Sequence, residues 1–151
     1  MKIFTLGFTK KSLEDFVELL RRYNVERVVD VRANATSQLA GFAKSRDLEY
    51  LLEKLLKIDY IHVKELAPTQ ELLKRYKKNK DWGEYEKEFN GIISERRIEN
   101  YFDAIARNVD SICLLCVEDK ADHCHRRLIA EYFSKKFDRI SIHHLTKANL
   151  I

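Results

Sequence analysis

The sequence has few of the residues and patterns that mark membrane, repeat or nucleotide-loop proteins. It contains only four glycines and one proline in 151 residues, and no Gly-rich phosphate loop is present. No apolar run approaches the roughly 18 residues that a membrane span requires. No internal repeat, low-complexity segment or interdomain linker interrupts the chain. A chain of this length with these absences predicts one domain over residues 1–151, with no membrane as its partner.

Cysteine is also scarce, and its number is odd. The thiols lie at Cys113, Cys116 and Cys124. Cys113 and Cys116 would face opposite sides of one strand, so they are not expected to pair. The chain begins directly with a strand-like pattern, so no signal peptide is expected. These features predict a cytoplasmic protein with reduced thiols.

Neither sign of charge dominates the composition. There are 28 Lys and Arg residues against 24 Asp and Glu, which gives a formal net charge of +4 and a pI near 8.9. With 45% hydrophobic and 34% charged residues, the composition is that of a globular protein rather than a disordered one. The mild basicity permits an anionic ligand but does not require nucleic acid.

Hydrophobic periodicity predicts five strands separated by helices. Short apolar runs predict strands at residues 3–7, 27–31, 60–63, 111–117 and 140–143. Helical spacing predicts helices at 13–23, 48–56, 71–80, 82–95 and 98–108, and a last helix ending near Phe137. The segments 79–81 and Asn90-Gly91 are predicted breaks. This order implies a three-layer α/β fold, in which helices flank a mostly parallel five-stranded sheet and a helical insertion at about 68–108 separates strands 3 and 4.

The segment from Cys116 to Arg127 is the chemically densest part of the chain. It holds two thiols, two imidazoles, two guanidinium groups and three carboxylates in twelve residues. It follows the most apolar run, residues 112–117, and precedes a helical pattern, which predicts a loop between a buried strand and a helix. Ligands of open α/β sheets bind where such strands end, so this loop is the predicted centre of a functional site.

Polar residues at other strand ends are expected to meet this loop. The carboxyl ends of parallel strands lie at one edge of a sheet, and the aperiodic segment 33–42 is a predicted loop on the same side. That edge would collect Thr9, Lys10, Arg32, His62, Glu65, Cys116 and Glu118. The convergence of four strand ends predicts a pocket there.

These motifs resemble the family catalogued as domain of unknown function 488. The resemblance is carried by Thr5-Leu6-Gly7, Asp30-Val31-Arg32, Ser37, Phe42, Tyr60-Ile61-His62, Glu65-Leu66, Cys116-Val117-Glu118, Cys124-His125-Arg126 and Ile142-His143. Its most specific element is Cys-x-Glu followed by Cys-His-Arg. The resemblance implies a compact α/β domain with these motifs at one edge, and it implies no particular reaction.

Cys124 has two functional interpretations and one structural one. It would lie at the start of the last helix, with Asp122 as a candidate N-cap, where free N–H groups and the helix dipole favour a thiolate or a bound anion. Arg126 and a protonated His125 would act in the same direction. The Cys-x5-Arg loop of phosphatases is absent, so that activity is not predicted. The structural alternative is a small residue that packs at the helix start.

A metal site is another use of the same residues. Cys116, Cys124 and His125 are soft or borderline ligands, and zinc accepts such sets. However, the spacing is wider than that of a Cys-x2-Cys pair, no second pair exists, and Cys116 can equally belong to the core. No cofactor is therefore predicted, and the alternative is a zinc-binding structural or regulatory domain that uses these three residues.

The remaining candidates also have functional and structural interpretations. Arg32 suits bidentate recognition of an anion, or a salt bridge to Asp30 or Glu118. Glu118 and His62 suit proton transfer, although either could instead be held in structural hydrogen bonds. The predicted catalytic residues are Cys124, Glu118 and His62, and the predicted substrate contacts are Thr9, Lys10, Arg32, His125 and Arg126.

The basic run at residues 74–80, followed by Trp82 and Tyr85, offers a nucleic-acid alternative. Glutamates follow it and no known nucleic-acid-binding signature is visible, so a solvated helix face with core aromatics is favoured. The sequence therefore favours an enzyme or binding protein that holds a small anionic, phosphate- or nucleotide-like ligand in a strand-end pocket. It does not determine the substrate, the reaction or the oligomeric state.

Overall fold

The computed structural model of the protein describes residues 1–35 and 44–151. Its strands are β1 Lys2–Gly7, β2 Arg27–Asp30, β3 Asp59–His62, β4 Ser111–Cys116 and β5 Ser141–Leu145. They form one sheet in the order β3-β2-β4-β1-β5, and every pairing is parallel. The predicted α/β class and five-stranded sheet are confirmed. Most of the predicted loop at 33–42, including Ser37 and Phe42, lies outside the described residues.

Helices connect these strands. They are α1 Leu13–Arg22, α2 Ser45–Glu49, α3 Gln70–Asn79, α4 Trp82–Glu95, α5 Phe102–Ala106 and α6 His125–Lys136. The second helix continues as π-helical turns over Tyr50–Leu56. Helices α3, α4 and α5 lie between β3 and β4, which confirms the predicted insertion. Within the described residues, no helix is both long and apolar enough to cross a membrane.

Side-chain caps explain two helix boundaries. Ser12 Oγ accepts a hydrogen bond from Asp15 N at 3.1 Å, and Asp15 Oδ2 accepts one from Ser12 N at 3.2 Å. This reciprocal pair is a capping box that starts α1. The predicted break after Asn79 is also present, because Lys80 turns with φ of 54° and Asp81 accepts from Glu84 N to cap α4.

The predicted break at Asn90-Gly91 is wrong, because α4 runs through both residues. Phe89 and Ile93 are fully buried one helical turn apart, and their burial keeps the segment helical. A glycine inside a helix costs about 1 kcal/mol relative to alanine. Burial of a single large apolar side chain contributes roughly 1.5–3 kcal/mol, so packing outweighs the local preference.

The two faces of the sheet are covered by different helices. On one face, Phe16 of α1 and Leu48 of α2 pack in one core cluster with Cys113 and Leu115 of β4. On the other face, α3–α6 share a cluster with Leu114 and Cys116 of the same strand. Alternation along β4 therefore places Cys113 and Cys116 on opposite faces, as predicted.

The connections leave neighbouring strands toward opposite faces. The β2–β3 connection carries α2 on the first face, whereas the β4–β5 connection carries α6 on the second. Since β2 and β4 are adjacent, a crevice opens between their carboxyl ends, which is where open α/β sheets bind ligands. The segments that follow these two strands, residues 31–35 and 117–124, form the polar side of that crevice.

Candidate functional site

A pocket of about 380 Å³ opens at the carboxyl ends of β2 and β4. Its walls come from the segment after β2, from α3 and α4, and from the β4–α6 loop. The lining includes Arg32, Asn34, Gln70, Leu73, Tyr76, Lys77, Tyr85, Cys116, Glu118, His123, Cys124 and His125. Five of the predicted site residues thus meet in one place, namely Arg32, Cys116, Glu118, Cys124 and His125.

The β4–α6 loop is held against β1 by contacts that leave no room for a side chain. A Cβ on Gly7 would lie 1.5 Å from the Glu118 carbonyl oxygen, so only glycine fits there. Thr9 Oγ1 donates to the Val117 carbonyl at 2.8 Å. Arg126 donates from Nη1 to the Glu118 carbonyl at 2.5 Å and from Nη2 to that of Asp119 at 3.1 Å. These contacts fix the loop that carries one wall of the pocket.

Thr9 and Arg126 therefore lie beneath the loop and outside the pocket lining. Lys10 is exposed and also lies outside the lining, and its backbone is left-handed with φ of 57°. His62 Nε2 donates to the Arg32 carbonyl at 2.8 Å, because a carbonyl only accepts. His62 thus reaches the site through the backbone of Arg32. Direct ligand contact by these four residues remains a prediction.

Cys124 is the N-cap residue of α6, with φ of −137° and ψ of 140°. Asp122 is not the cap, because Cys124 itself has the extended backbone that precedes the first helical residue. The Cys124 side chain makes no capping hydrogen bond. Its sulfur lies beside the first turn of a 12-residue helix, where the unpaired N–H groups create a positive end.

Cys116, Cys124 and His125 form a compact buried cluster on the pocket floor. One ligand atom from each lies within 4.8 Å of the other two. His125 Nδ1 is 3.7 Å from Cys116 Sγ and 4.0 Å from Cys124 Sγ. His125 Nε2 donates to the Val31 carbonyl at 2.7 Å, so in the neutral ring Nδ1 is the nitrogen that carries the lone pair. This is the group that the sequence offers for a metal.

The two clustered thiols have pKa values displaced in opposite directions. A hydrogen bond from Cys116 holds the pKa of Cys124 well below its usual range, with further lowering from His125 and Arg126 against the effect of burial. The same hydrogen bond, together with burial, raises the pKa of Cys116. Burial raises the pKa of Cys113 to about 12. Cys124 is thus the one of the three thiols whose pKa is lowered, and the thiolate is the form of cysteine that acts as a nucleophile or a metal ligand.

Arg32 is buried, and most of its guanidinium group binds Asp30. Its Nε and Nη2 donate to Asp30 Oδ1 and Oδ2 at 2.8 and 2.6 Å, and Tyr60 also donates to Oδ2 at 2.6 Å. The predicted salt bridge to Asp30 is thus present. Arg32 Nη1 is buried and has no hydrogen-bond partner among residues 1–35 and 44–151. Nη1 carries two N–H donors.

Glu118 is exposed and lines the pocket. Arg126 contacts its backbone carbonyl, and Arg32 pairs with Asp30, so neither described contact uses the Glu118 carboxylate as a counter-ion. An acid or base role for this carboxylate stays a prediction.

The wall formed by α3 and α4 was not found from sequence. Tyr76, Lys77 and Tyr85 line the pocket, and Trp82 stacks on His123 with ring centroids 5.1 Å apart. The aromatic residues of the insertion are visible in the sequence and could have indicated a pocket wall. Their periodicity, however, does not show which strand end they cover. All four lysines of the basic run, Lys77 included, are exposed, and binding of nucleic acid by this run stays a prediction.

Fold and site together define a parallel α/β protein with a Cys/His-lined pocket at its strand ends. The family model described as "Domain of unknown function DUF488" matches residues 12–133, which is more than half of the chain, and the protein belongs to that family. The matched span contains the whole Cys/His cluster and leaves out β1 and β5. No curated protein and no solved structure matches the chain.

Proposed function

We propose that the strand-end pocket binds a small ligand through an anionic oxygen group and that the Cys/His cluster acts on it. The observation that carries this proposal is that Arg32 Nη1, beside the pocket, has no hydrogen-bond partner in the described part of the chain. Leaving a buried donor unsatisfied costs about 1–3 kcal/mol, and more for a charged group. Most buried polar groups in folded proteins have a partner, and a ligand oxygen would supply this one.

The surroundings favour an anion, although Asp30 balances the charge of Arg32. Lys77 lines the same pocket and has no ion pair among the described residues. The N-terminus of α6 lies at Cys124 and His125, which line the pocket, and a helix N-terminus carries a partial positive charge that favours anions. Arg32 would thus orient the ligand by hydrogen bonding, while Lys77 and the helix end supply the attraction for negative charge.

The opposite wall suits an apolar or aromatic part of the ligand. Leu73, Tyr76 and Tyr85 line it, and the volume of about 380 Å³ lies in the range of small-molecule sites. A ligand with a ring at one end and a phosphate or carboxylate at the other fits this division. Such a ligand is phosphate- or nucleotide-like.

In the reaction, Cys124 would be the reactive sulfur on the floor and Glu118 the proton donor or acceptor at the rim. His62 would position Arg32 through its backbone carbonyl, and Thr9 and Arg126 would hold the loop that presents Glu118. These roles divide the predicted residues into those that touch the ligand and those that support the ones that do.

The test is ligand-dependent thermal stability, with Arg32→Lys as the variant. Lysine keeps a positive charge beside Asp30 but lacks the second fork nitrogen. Inorganic phosphate, a nucleoside 5′-monophosphate and a dicarboxylate serve as probes. A bound probe at 100 times its Kd stabilises the protein by about 2.7 kcal/mol, and Arg32→Lys should weaken its binding by at least about 10-fold.

Arg139→Lys is the matched control, because Arg139 is exposed and outside the pocket lining. It should bind the same probe as tightly as the unaltered protein. The proposal fails if none of the probes raises Tm, or if Arg32→Lys binds the effective probe as well as Arg139→Lys does.

A further inference from the structure

We propose that Cys116, Cys124 and His125 bind a zinc-type divalent ion whose fourth coordination position opens into the pocket. This inference deepens the proposed function, because it assigns a cofactor to the site where the anionic group would bind. The ion would accept a ligand oxygen at its open position. In this arrangement Cys124 is a thiolate ligand of the metal, and this replaces the role of reactive sulfur that the proposed function gives it.

The donor atoms have the type and spacing that zinc requires. Thiolate sulfur and imidazole nitrogen are its preferred ligands. A tetrahedral ion with Zn–S near 2.3 Å and Zn–N near 2.0–2.1 Å sets sulfur and nitrogen about 3.6 Å apart. His125 Nδ1 lies 3.7 Å from Cys116 Sγ and 4.0 Å from Cys124 Sγ. The separations of His125 Nδ1 from the two sulfurs are therefore close to those around a bound ion.

The orientation of His125 is also that of a metal ligand. Metal-binding histidines usually donate the other ring N–H to a carbonyl or carboxylate, which fixes the tautomer. Here Nε2 donates to the Val31 carbonyl at 2.7 Å, so Nδ1 is the coordinating atom. Cys116 Sγ is also 3.9 Å from Nε2, which places it beside the ring. Metal binding would draw this sulfur toward the Nδ1 lone-pair axis.

The three ligands are carried by the most constrained parts of the site. Cys116 ends the central strand β4, and its carbonyl accepts from Phe8 N at 3.2 Å. Cys124 N donates to the Ala121 carbonyl at 3.1 Å, and Phe89 packs edge-on against the His125 ring. A site whose backbone is already fixed loses little conformational freedom on binding a metal, which favours affinity.

Three protein ligands and an adjoining pocket correspond to a catalytic zinc site rather than a structural one. Structural zinc sites are closed by four protein ligands, whereas catalytic sites leave one position for water or substrate. All three ligands line the pocket. Cys113 lies on the opposite face of the sheet, so this buried cysteine should not coordinate the metal.

The experiment starts from untagged protein purified without chelator, whose metal content is measured by mass spectrometry. The protein is then stripped and titrated with cobalt(II), which reports thiolate ligands by charge-transfer absorption and tetrahedral geometry by intense visible bands. We expect about one zinc per chain and both cobalt signals. A metal-free preparation whose cobalt spectrum shows neither signal overturns the inference without the use of any variant.

Cys116→Ala and Cys124→Ala assign the ligands, and Cys113→Ala is the matched control. Each ligand variant should weaken metal binding by at least about 10-fold, whereas the control should bind as the unaltered protein does. Circular dichroism confirms that each variant is folded, and His125→Gln is a further ligand variant if one cysteine variant does not fold. Equal binding by the ligand variants and the control contradicts the assignment.

The same sample separates this inference from the proposed function. Adding the probe that stabilises the protein should change the visible cobalt bands, because its oxygen enters the open position. Metal binding without any stabilising probe would uphold the metal site and reject the anionic ligand. A stabilising probe whose binding survives complete metal removal would uphold the pocket and reject the role of the metal in it.

Discussion

Two arginines are buried at neighbouring strand ends, and their guanidinium groups have different partners. Arg32 follows β2 and is 2% exposed, and it pairs with the carboxylate of Asp30. Arg126 is fully buried in α6, and it donates to the backbone carbonyls of the β4–α6 loop. Each leaves one nitrogen without a partner among residues 1–35 and 44–151, Nη1 in Arg32 and Nε in Arg126.

The two guanidinium groups differ in their position relative to the pocket. Arg32 lines the pocket with its charge balanced by Asp30, and its Nη1 keeps N–H groups that nothing in the described part of the chain accepts. Arg126 donates hydrogen bonds from both terminal guanidinium nitrogens to two backbone carbonyls, and it does not line the pocket. We infer that Arg32 is a recognition residue and that Arg126 braces the loop. Four substitutions break or sharpen this contrast.

The largest effect is expected from Asp30→Asn, which leaves the buried Arg32 without its counter-charge. Breaking a buried pair from one side typically costs 3–5 kcal/mol, so we expect about that loss in the free energy of unfolding, measured by urea denaturation. Asp59→Asn is the control, because Asp59 is 59% exposed in its pair with Arg27 and should cost less than about 1 kcal/mol. Equal losses in the two variants would contradict the proposed importance of the buried pair.

Arg126→Met should come next. Methionine fills much of the same volume but leaves the carbonyls of Glu118 and Asp119 without their donors. We expect a loss of about 2–3 kcal/mol, because a hydrogen bond to a charged group contributes roughly 1.5–3 kcal/mol. Hydrogen exchange in residues 117–124 should accelerate.

Arg127→Met is the matched control on the same helix. Its partners Glu86 and Glu131 are partly exposed, so a loss below about 1 kcal/mol is expected. If Arg126→Met leaves exchange in the loop unchanged, Arg126 is not the brace.

Substitution by alanine should lower the free energy of unfolding at Gly7 and raise it at Gly91. At Gly7 the added Cβ would meet the Glu118 carbonyl oxygen at 1.5 Å, so the loop must move, and overpacking of this kind costs about 1–3 kcal/mol. At Gly91 an added Cβ meets nothing within 4 Å, and alanine should stabilise α4 by about 0.5–1 kcal/mol. Thermal unfolding of the two variants measures both changes. If Gly7→Ala stabilises the protein, the loop and the strand do not pack as closely as this distance implies.

The fold was largely predictable because its signals are local. The run Ile112–Val117 and the helical spacing around it fix the nature of β4 and α6 without knowledge of the rest. The strand order depends on which face each helix covers, and periodicity does not contain that information. The error at Asn90-Gly91 has the same origin, since tertiary burial of Phe89 and Ile93 overrode a local turn preference.

Part of the site was predictable for the same reason. Cys116, Cys124 and His125 are close in sequence and flank one strand-to-helix loop, so their meeting follows from the local structure. Contacts by Thr9, Lys10 and Arg126 were inferred from their position near a strand end, which does not show where a side chain points. Tyr76 and Lys77 reach the pocket only because the insertion packs on the α6 face.

The smallest effect tests whether the insertion contributes a charge to the pocket that Arg32 would share. Lys77 lines the pocket, and Lys78 is its exposed neighbour outside the lining. Neither Lys77→Gln nor Lys78→Gln should change the free energy of unfolding by more than about 0.5 kcal/mol. Lys77→Gln should weaken binding of the effective probe by about 3- to 10-fold, because a charged hydrogen bond becomes a neutral one. Lys78→Gln should leave the affinity within about 2-fold. Equal weakening in both variants would show that the basic helix attracts the anion at long range, and Arg32 would then be the direct contact without help from Lys77.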